Sequence, residues 1–169
     1  MTPRPVHGIV LLLLALLLAG CTRRPGEVPV SIFFTRSEGT AIVLVEVPRT
    51  VPGGDPRAVL TAALTELLRG PSAEEQAAGL STAIPAGTTL RGVRLEGGVA
   101  HVDFSREVEA GGGSASMLGR MWQVVYTATQ LPQASRVQIL IDGRRREAMG
   151  GEGVIIATPL ARPRTPPRF

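Results

Sequence analysis

One histidine stands past residue 20. His101 lies two residues before Asp103. Residues two apart on a strand project to the same side, so an imidazole and a carboxylate would share a face, as base and orienting acid do in a serine–histidine–aspartate site. The pair sits mid-hairpin, however, where a surface-facing strand pair is the default. One histidine and one carboxylate are also too few to close a metal site. Cys21 is the only cysteine, which excludes an intrachain disulfide, a cysteine-rich metal site and a CxxC redox pair. All 18 basic residues are arginine, so no lysine chemistry is available, whether Schiff base, P-loop or general base. Gly111-Gly112-Gly113-Ser114 precedes a helix and could form an anion-binding N-terminus. It lacks the GxGxxG spacing directly after a strand, so a hinge with Ser114 as cap is the better reading. Arg144-Arg145-Arg146 is a local basic cluster on a turn. It could meet anionic lipid, cell-wall polymer or an acidic partner, with a solvated loop as the default. No catalytic, cofactor or metal residue is assigned. The formal charge of +4 is weak and the aromatics are few and scattered, so nucleic acid is not an expected partner.

The elements that must position these residues can be read in order. Val30 to Thr35 and Ala41 to Val47 are strands, the second almost wholly apolar, followed by a loop over Pro48 to Gly54. Asp55-Pro56 opens a helix with inner stripe Leu60, Ala63, Leu64 and Leu67; Gly70-Pro71 stops it. Ser72 and Glu75 form a capping box for a short helix. Ser81 to Gly87 is an extended loop around Pro85. Thr89 to Leu95 and Val99 to Phe104 flank Glu96-Gly97-Gly98 as a hairpin. A long helix begins at Ser114 and ends before Pro132. Its inner face carries Leu118, Met121, Trp122, Val125, Ala128 and Thr129, while Arg120, Gln123, Thr127 and Gln130 lie off the centre of that face. If Trp122 is core, its replacement by Ala should cost about 3–5 kcal/mol. Arg136 to Ile141 is a buried strand closed by Asp142-Gly143, and Val154 to Ile156 is a last short one. The expected class is α+β: a single domain over residues 30–160, with a mixed sheet and two main helices on one face. Residues 161–169, mostly proline and arginine from Arg162 onward, are expected to be a disordered tail.

Residues 1–20 read as an address. Arg4 and His7 precede an apolar run of about a dozen residues, in the range of a signal-peptide core and short for a bilayer span. Leu18-Ala19-Gly20-Cys21 resembles the bacterial lipobox. The resemblance implies cleavage between Gly20 and Cys21 and acylation of Cys21. Two or three chains would anchor the protein stably in a lipid bilayer. Residues 21–29 would be the tether, with Arg23 and Arg24 beside the headgroups. Thr22, where an aspartate would signal inner-membrane retention, leaves an outer membrane open if the host has one.

Five blocks, in order, carry a second resemblance: Leu67-Leu68-Arg69-Gly70-Pro71; Ala83-Ile84-Pro85-Ala86-Gly87-Thr88; Gly98-Val99-Ala100-His101-Val102-Asp103-Phe104-Ser105; Val125-Tyr126-Thr127-Ala128-Thr129-Gln130-Leu131-Pro132; and Val137-Gln138-Ile139-Leu140-Ile141-Asp142-Gly143. Together, over roughly Val30 to Leu160, they are similar to the GerMN domain of bacterial sporulation and spore-germination lipoproteins. The resemblance implies a fold like the ring-building modules of secretion and sporulation complexes. It also implies a non-enzymatic extracytoplasmic role and envelope proteins as partners. Gly70, Pro71, Pro85, Gly87, Asp103, Trp122, Gln130, Asp142 and Gly143 are carried over as structural positions, not catalytic ones. The alternatives are an envelope or cell-wall hydrolase, which a pocket holding His101, Asp103 and a serine would favour, and a carrier of a small apolar ligand, which an internal cavity lined by Leu64, Leu118 and Val125 would favour.

Overall fold

The computed structural model describes residues 26–150 and 153–169. The proposed signal segment, Gly20, Cys21 and the arginines of the tether lie outside the described residues.

The chain opens with a long antiparallel hairpin, β1 (Glu27–Glu38) and β2 (Ala41–Pro52), paired in continuous register from Glu27↔Pro52 to Glu38↔Ala41. Both strands outrun their sequence patterns, and β2 continues through the expected loop at Pro48. The reason is which way the prolines face. Ile42 exchanges both backbone hydrogen bonds with Phe169 on the outer side, so alternate residues from Ile42 turn their amide positions away from β1. Pro48 and Pro52 fall on that outward set, where a missing N–H removes nothing from the ladder.

Helix α1 (Pro56–Arg69) is capped by Asp55, whose carboxylate accepts from the Ala58 amide at 2.8 Å, with proline at its first position. Its stripe of Val59, Leu60, Ala63, Leu64 and Leu67 is buried. Gly70, at φ 78°, ends the helix and donates to the Leu67 carbonyl. The capping box of Ser72 and Glu75 forms as read and starts α2 (Ala73–Ala77). β3 (Leu80–Ser81) pairs with β1 at Thr35 and Arg36.

The second sheet is mixed. β4 (Leu90–Glu96) and β5 (Val99–Phe104) form the expected hairpin, and β6 (Arg136–Ile141) lies parallel to β5. A parallel pair needs a crossover. It is supplied by the 3-10 turn Arg106–Glu109 and helix α3 (Ser114–Ala128). The far edge of β6 takes two short strands, β7 (Arg144–Arg145) and, after the β8 (Ala148–Met149) and β9 (Val154–Ile155) pair, β10 (Leu160–Ala161).

The α+β class and the mixed sheet hold. The strands divide into separate sheets, and the two helices join them: α1 touches β1, β2 and β4, while α3 touches β1, β2 and β6. One continuous core runs through Ile32 and Phe34, Leu60 and Leu64, Val124 and Val125, Phe104, and Ile139 and Ile141.

Trp122 is partly buried at the rim of the core, beside Tyr126, which is 3% exposed. Three expectations are corrected. Arg120, Gln123 and Thr127, placed off the centre of the inner face, are buried, because backbone groups of Phe33, Ala83, Val108 and Gly111 take up their polar atoms. Gly113 caps α3 in extended conformation, its carbonyl accepting from Met117, so Ser114 is the first residue inside the helix. Finally, residues 161–169 are not a disordered tail. Leu160 and Ala161 pair with β6, and Phe169 pairs with β2. The segment has little apolar area, but it finds aromatic rings and an open strand edge on the body of the domain.

Candidate functional site

β1 has an inner edge as well as the edge it gives to β2. At Ser31 and Phe33 the backbone groups on that inner edge face α3 and the turn that follows it, and side chains from both satisfy them. Gln130 acts as a strand mimic: its amide oxygen accepts from the Ser31 N–H at 2.8 Å and its amide nitrogen donates to the Ser31 carbonyl at 3.1 Å. One turn earlier, Thr127 Oγ1 accepts from the Phe33 N–H at 3.2 Å, and Gln123 Nε2 donates to the Phe33 carbonyl at 3.0 Å. The spacing 123, 127, 130 follows one face of a helix, so a single polar stripe lies along the strand. Beyond it the edge passes to β3 at Thr35. The first sheet is therefore completed by glutamine and threonine side chains, and no inner donor at Ser31 or Phe33 is orphaned.

The same stripe holds the Ala83–Thr88 block. Gln123 Oε1 accepts from the Ala83 N–H at 2.8 Å, and Arg120 Nε donates to the Ala83 carbonyl at 2.8 Å. Within the block, the Pro85 carbonyl accepts from both the backbone and the hydroxyl of Thr88, and Gly87 at φ 85° makes the turn. The Arg120 guanidinium goes on to the carbonyls of Val108 at 2.9 Å and Gly111 at 2.6 Å. Burial lowers its pKa. The glycine run is thus a wrapping around a buried cation: a β-carbon on Gly112 would lie 2.5 Å from Ser116 Oγ and 2.9 Å from Arg120 Nη2.

Asp103, Asp142 and Gly143 meet at the far end of β5 and β6. Asp142 and Gly143 adopt φ 49° and 75°, the left-handed pair a tight hairpin turn between β6 and β7 requires. Asp103 Oδ1 accepts from the Gly143 N–H at 2.8 Å, and Arg91 lies 3.4 Å from Asp103 and 3.7 Å from Asp142. Asp103 is therefore engaged in a turn clamp. His101 lines an adjoining cleft of about 470 Å³ with Arg57, Arg94 and Leu140. Burial, then the charge of Arg94, pushes its pKa down. Among the described residues no group of three or more histidine, cysteine or acidic side chains is placed to hold a metal ion. No helix among them is long and apolar enough to cross a membrane.

Pro71 is buried behind the end of α1, and its carbonyl accepts from Gln76 Nε2 at 2.8 Å. Trp122 packs edge-on to Tyr126, ring centroids 6.3 Å apart, outside the core proper. Arg144 and Arg145 are exposed in β7, and Arg146 lies 3.9 Å from Glu109. Leu64 and Val125 are fully buried in the common core, with Leu118 packed at its margin.

The family described as "Sporulation and spore germination" (Germane) matches residues 31–147, more than half of the chain. The chain belongs to this family. The fold is similar to the tandem GerMN domains of the sporulation protein GerM from Bacillus subtilis, with a TM-score of 0.67 at 21% identity over 86% of this chain. This chain spans 49% of that one. The first GerMN domain of the same protein aligns at 0.62 and 25% identity, over 80% of this chain and 98% of that domain. A candidate lipoprotein from Clostridium perfringens aligns at 0.58 and 19% identity, over 80% and 88%. A search of curated proteins found no match.

The stripe of Arg120, Gln123 and Thr127 was missed from sequence because apolar periodicity places polar residues outside. The signal that could have found it is the recurrence of polar residues at 120, 123, 127 and 130, the three- and four-residue intervals of one helix face.

Proposed function

We propose that this chain is a lipid-anchored, extracytoplasmic assembly module of the cell envelope, with no catalytic role of its own. The observation that supports it is how the blocks shared with the family are used. Gly70-Pro71 ends a helix, Pro85 to Thr88 is a pinned turn, Gln130 completes a sheet, and Asp103 with Asp142-Gly143 closes a hairpin. These blocks serve the frame of the domain and assemble no catalytic set, and a rigid body with exposed edges suits contact with other proteins. Lipobox chemistry at Cys21 would hold that body at a membrane. The candidate-lipoprotein description of the Clostridium relative is consistent with this.

The test is crosslinking in intact cells, pull-down of the wild-type protein and mass spectrometry, with Cys21→Ser as the placement control. Recovery of a specific envelope protein by the anchored form alone is the expected result. Failure to recover any partner from cells that express the protein well would sink the assembly reading. Unchanged membrane fractionation of Cys21→Ser would remove the anchor.

A further inference from the structure

The segment from Arg162 to Phe169 contains no helix or strand, yet it is held at both ends. At its start the Arg162 guanidinium lies 5.0 Å from the Phe33 ring centre and 4.7 Å from that of Tyr126, and donates to the Tyr126 carbonyl. The Tyr126 hydroxyl donates to the Pro163 carbonyl at 3.0 Å. At its end Phe169 exchanges two backbone hydrogen bonds with Ile42, at 2.6 and 3.2 Å, and Arg168 lies 3.2 Å from Glu38. The Phe169 ring lies over Gly119, where a β-carbon would come within 3.4 Å of it. Between these points residues 164–167 make no hydrogen bond or ion pair among the described residues.

These are the contacts of a bound peptide. A cation over two rings, a hydroxyl to a carbonyl and a short strand-edge pairing recognise an extended chain without help from a fold of its own. Pro163, Pro166 and Pro167 restrict the segment in advance, so seating it orders little. The surface beneath is not spare: Phe33 is 6% exposed although it projects from the opposite face of β1 to Ile32 and Phe34. A molecule whose segment lifts away uncovers an aromatic cradle and, at the same moment, presents the one sequence known to fit it. Two such molecules satisfy each other through a closed two-fold exchange. Pro48 limits how far any strand can run along the β2 edge beyond Ile42, which suits a short segment and not a long one.

We propose that Phe33, Tyr126, Gly119 and the Ile42 edge form a docking surface for an arginine–proline segment, and that in the assembled state its occupant is residues 162–169 of a second copy of this chain. The inference rests on the assembly reading and names its partner.

The test uses the chain from Thr22 onward, which keeps every described residue, with molar mass followed by light scattering from micromolar to millimolar concentration. The expected result is a monomer–dimer equilibrium weakened about tenfold or more in Arg162→Ala/Phe169→Ala. That double variant should keep its circular dichroism, and should bind a peptide of residues 161–169 with a change in Trp122 emission. A chain that stays monomeric throughout overturns the exchange, as does a dimer indifferent to the double variant, or a folded double variant that ignores the peptide. In each case the assembly reading remains open to in-cell crosslinking, which detects partners of any kind.

Discussion

Gln130 and Gln123 each spend a flexible, polar side chain inside the protein, and the return is visible in what they touch. Removing Gln123 leaves the buried Phe33 carbonyl without its partner, and removing Gln130 strips both backbone groups of the part-buried Ser31. Gln130→Ala and Gln123→Ala should each lower stability by about 2–3 kcal/mol in urea unfolding, where an exposed glutamine change would be near neutral. A second pair separates rim from core. Tyr126→Ala should cost about 3–5 kcal/mol, and Trp122→Ala, at the rim, clearly less. At His101 the direction of the shift fixes a pH effect. Its folded pKa lies below the ordinary value of about 6.5, so the unfolded chain binds its proton first as pH falls. Stability should therefore decline as pH drops through the region just below that value. The decline should be shallower in His101→Gln, as read by thermal melts at a series of pH values. A steeper loss in the variant would contradict the assignment.

At the scale of elements, what could be read in advance was whatever has a local cause. Asp55-Pro56, Ser72 with Glu75, Gly97-Gly98 and Asp142-Gly143 fix ends and turns through their own backbone chemistry, and each forms as its residues require. The alternation in Val137, Ile139 and Ile141 likewise gave a buried strand. What stayed hidden has a distant cause. Nothing near Pro48 says that its amide position faces the outer edge; that follows from the parity of its pairing with β1, where it stands opposite Ser31. Nothing in the spacing of Arg120 says that Ala83 and Gly111 will offer it carbonyls. The turn at Asp142-Gly143 makes the local case testable: Gly143→Ala, at φ 75° and with its N–H held by Asp103, should cost about 1–3 kcal/mol. The same substitution at Gly92, where nothing stands near a new β-carbon, should be mild.

For the whole molecule, the division of labour is between a sheet that cannot complete itself and a helix that completes it. α3 is the crossover of the parallel pair in one sheet and the edge of the other, so the two sheets should not unfold separately. Hydrogen exchange at the Ser31 and Phe33 amides should therefore match that of β6, and a variant lacking Gln130 should loosen both together. Early, independent exchange of β1 would show that the hairpin is an appendage. The hairpin also sets a distance. Gly53 donates to the Gly26 carbonyl at the end where the described chain begins, while the turn at Gly39 and the Ile42–Phe169 pairing lie near the other. Twelve residues per strand, at ~3.3 Å each, make β1 a spar of roughly 40 Å. If residues before Gly26 are moored to a bilayer, the spar acts as a mast. It would lift the contact surface clear of the headgroups and of anything lying flat on them, and neighbours would meet at the masthead and not at the deck.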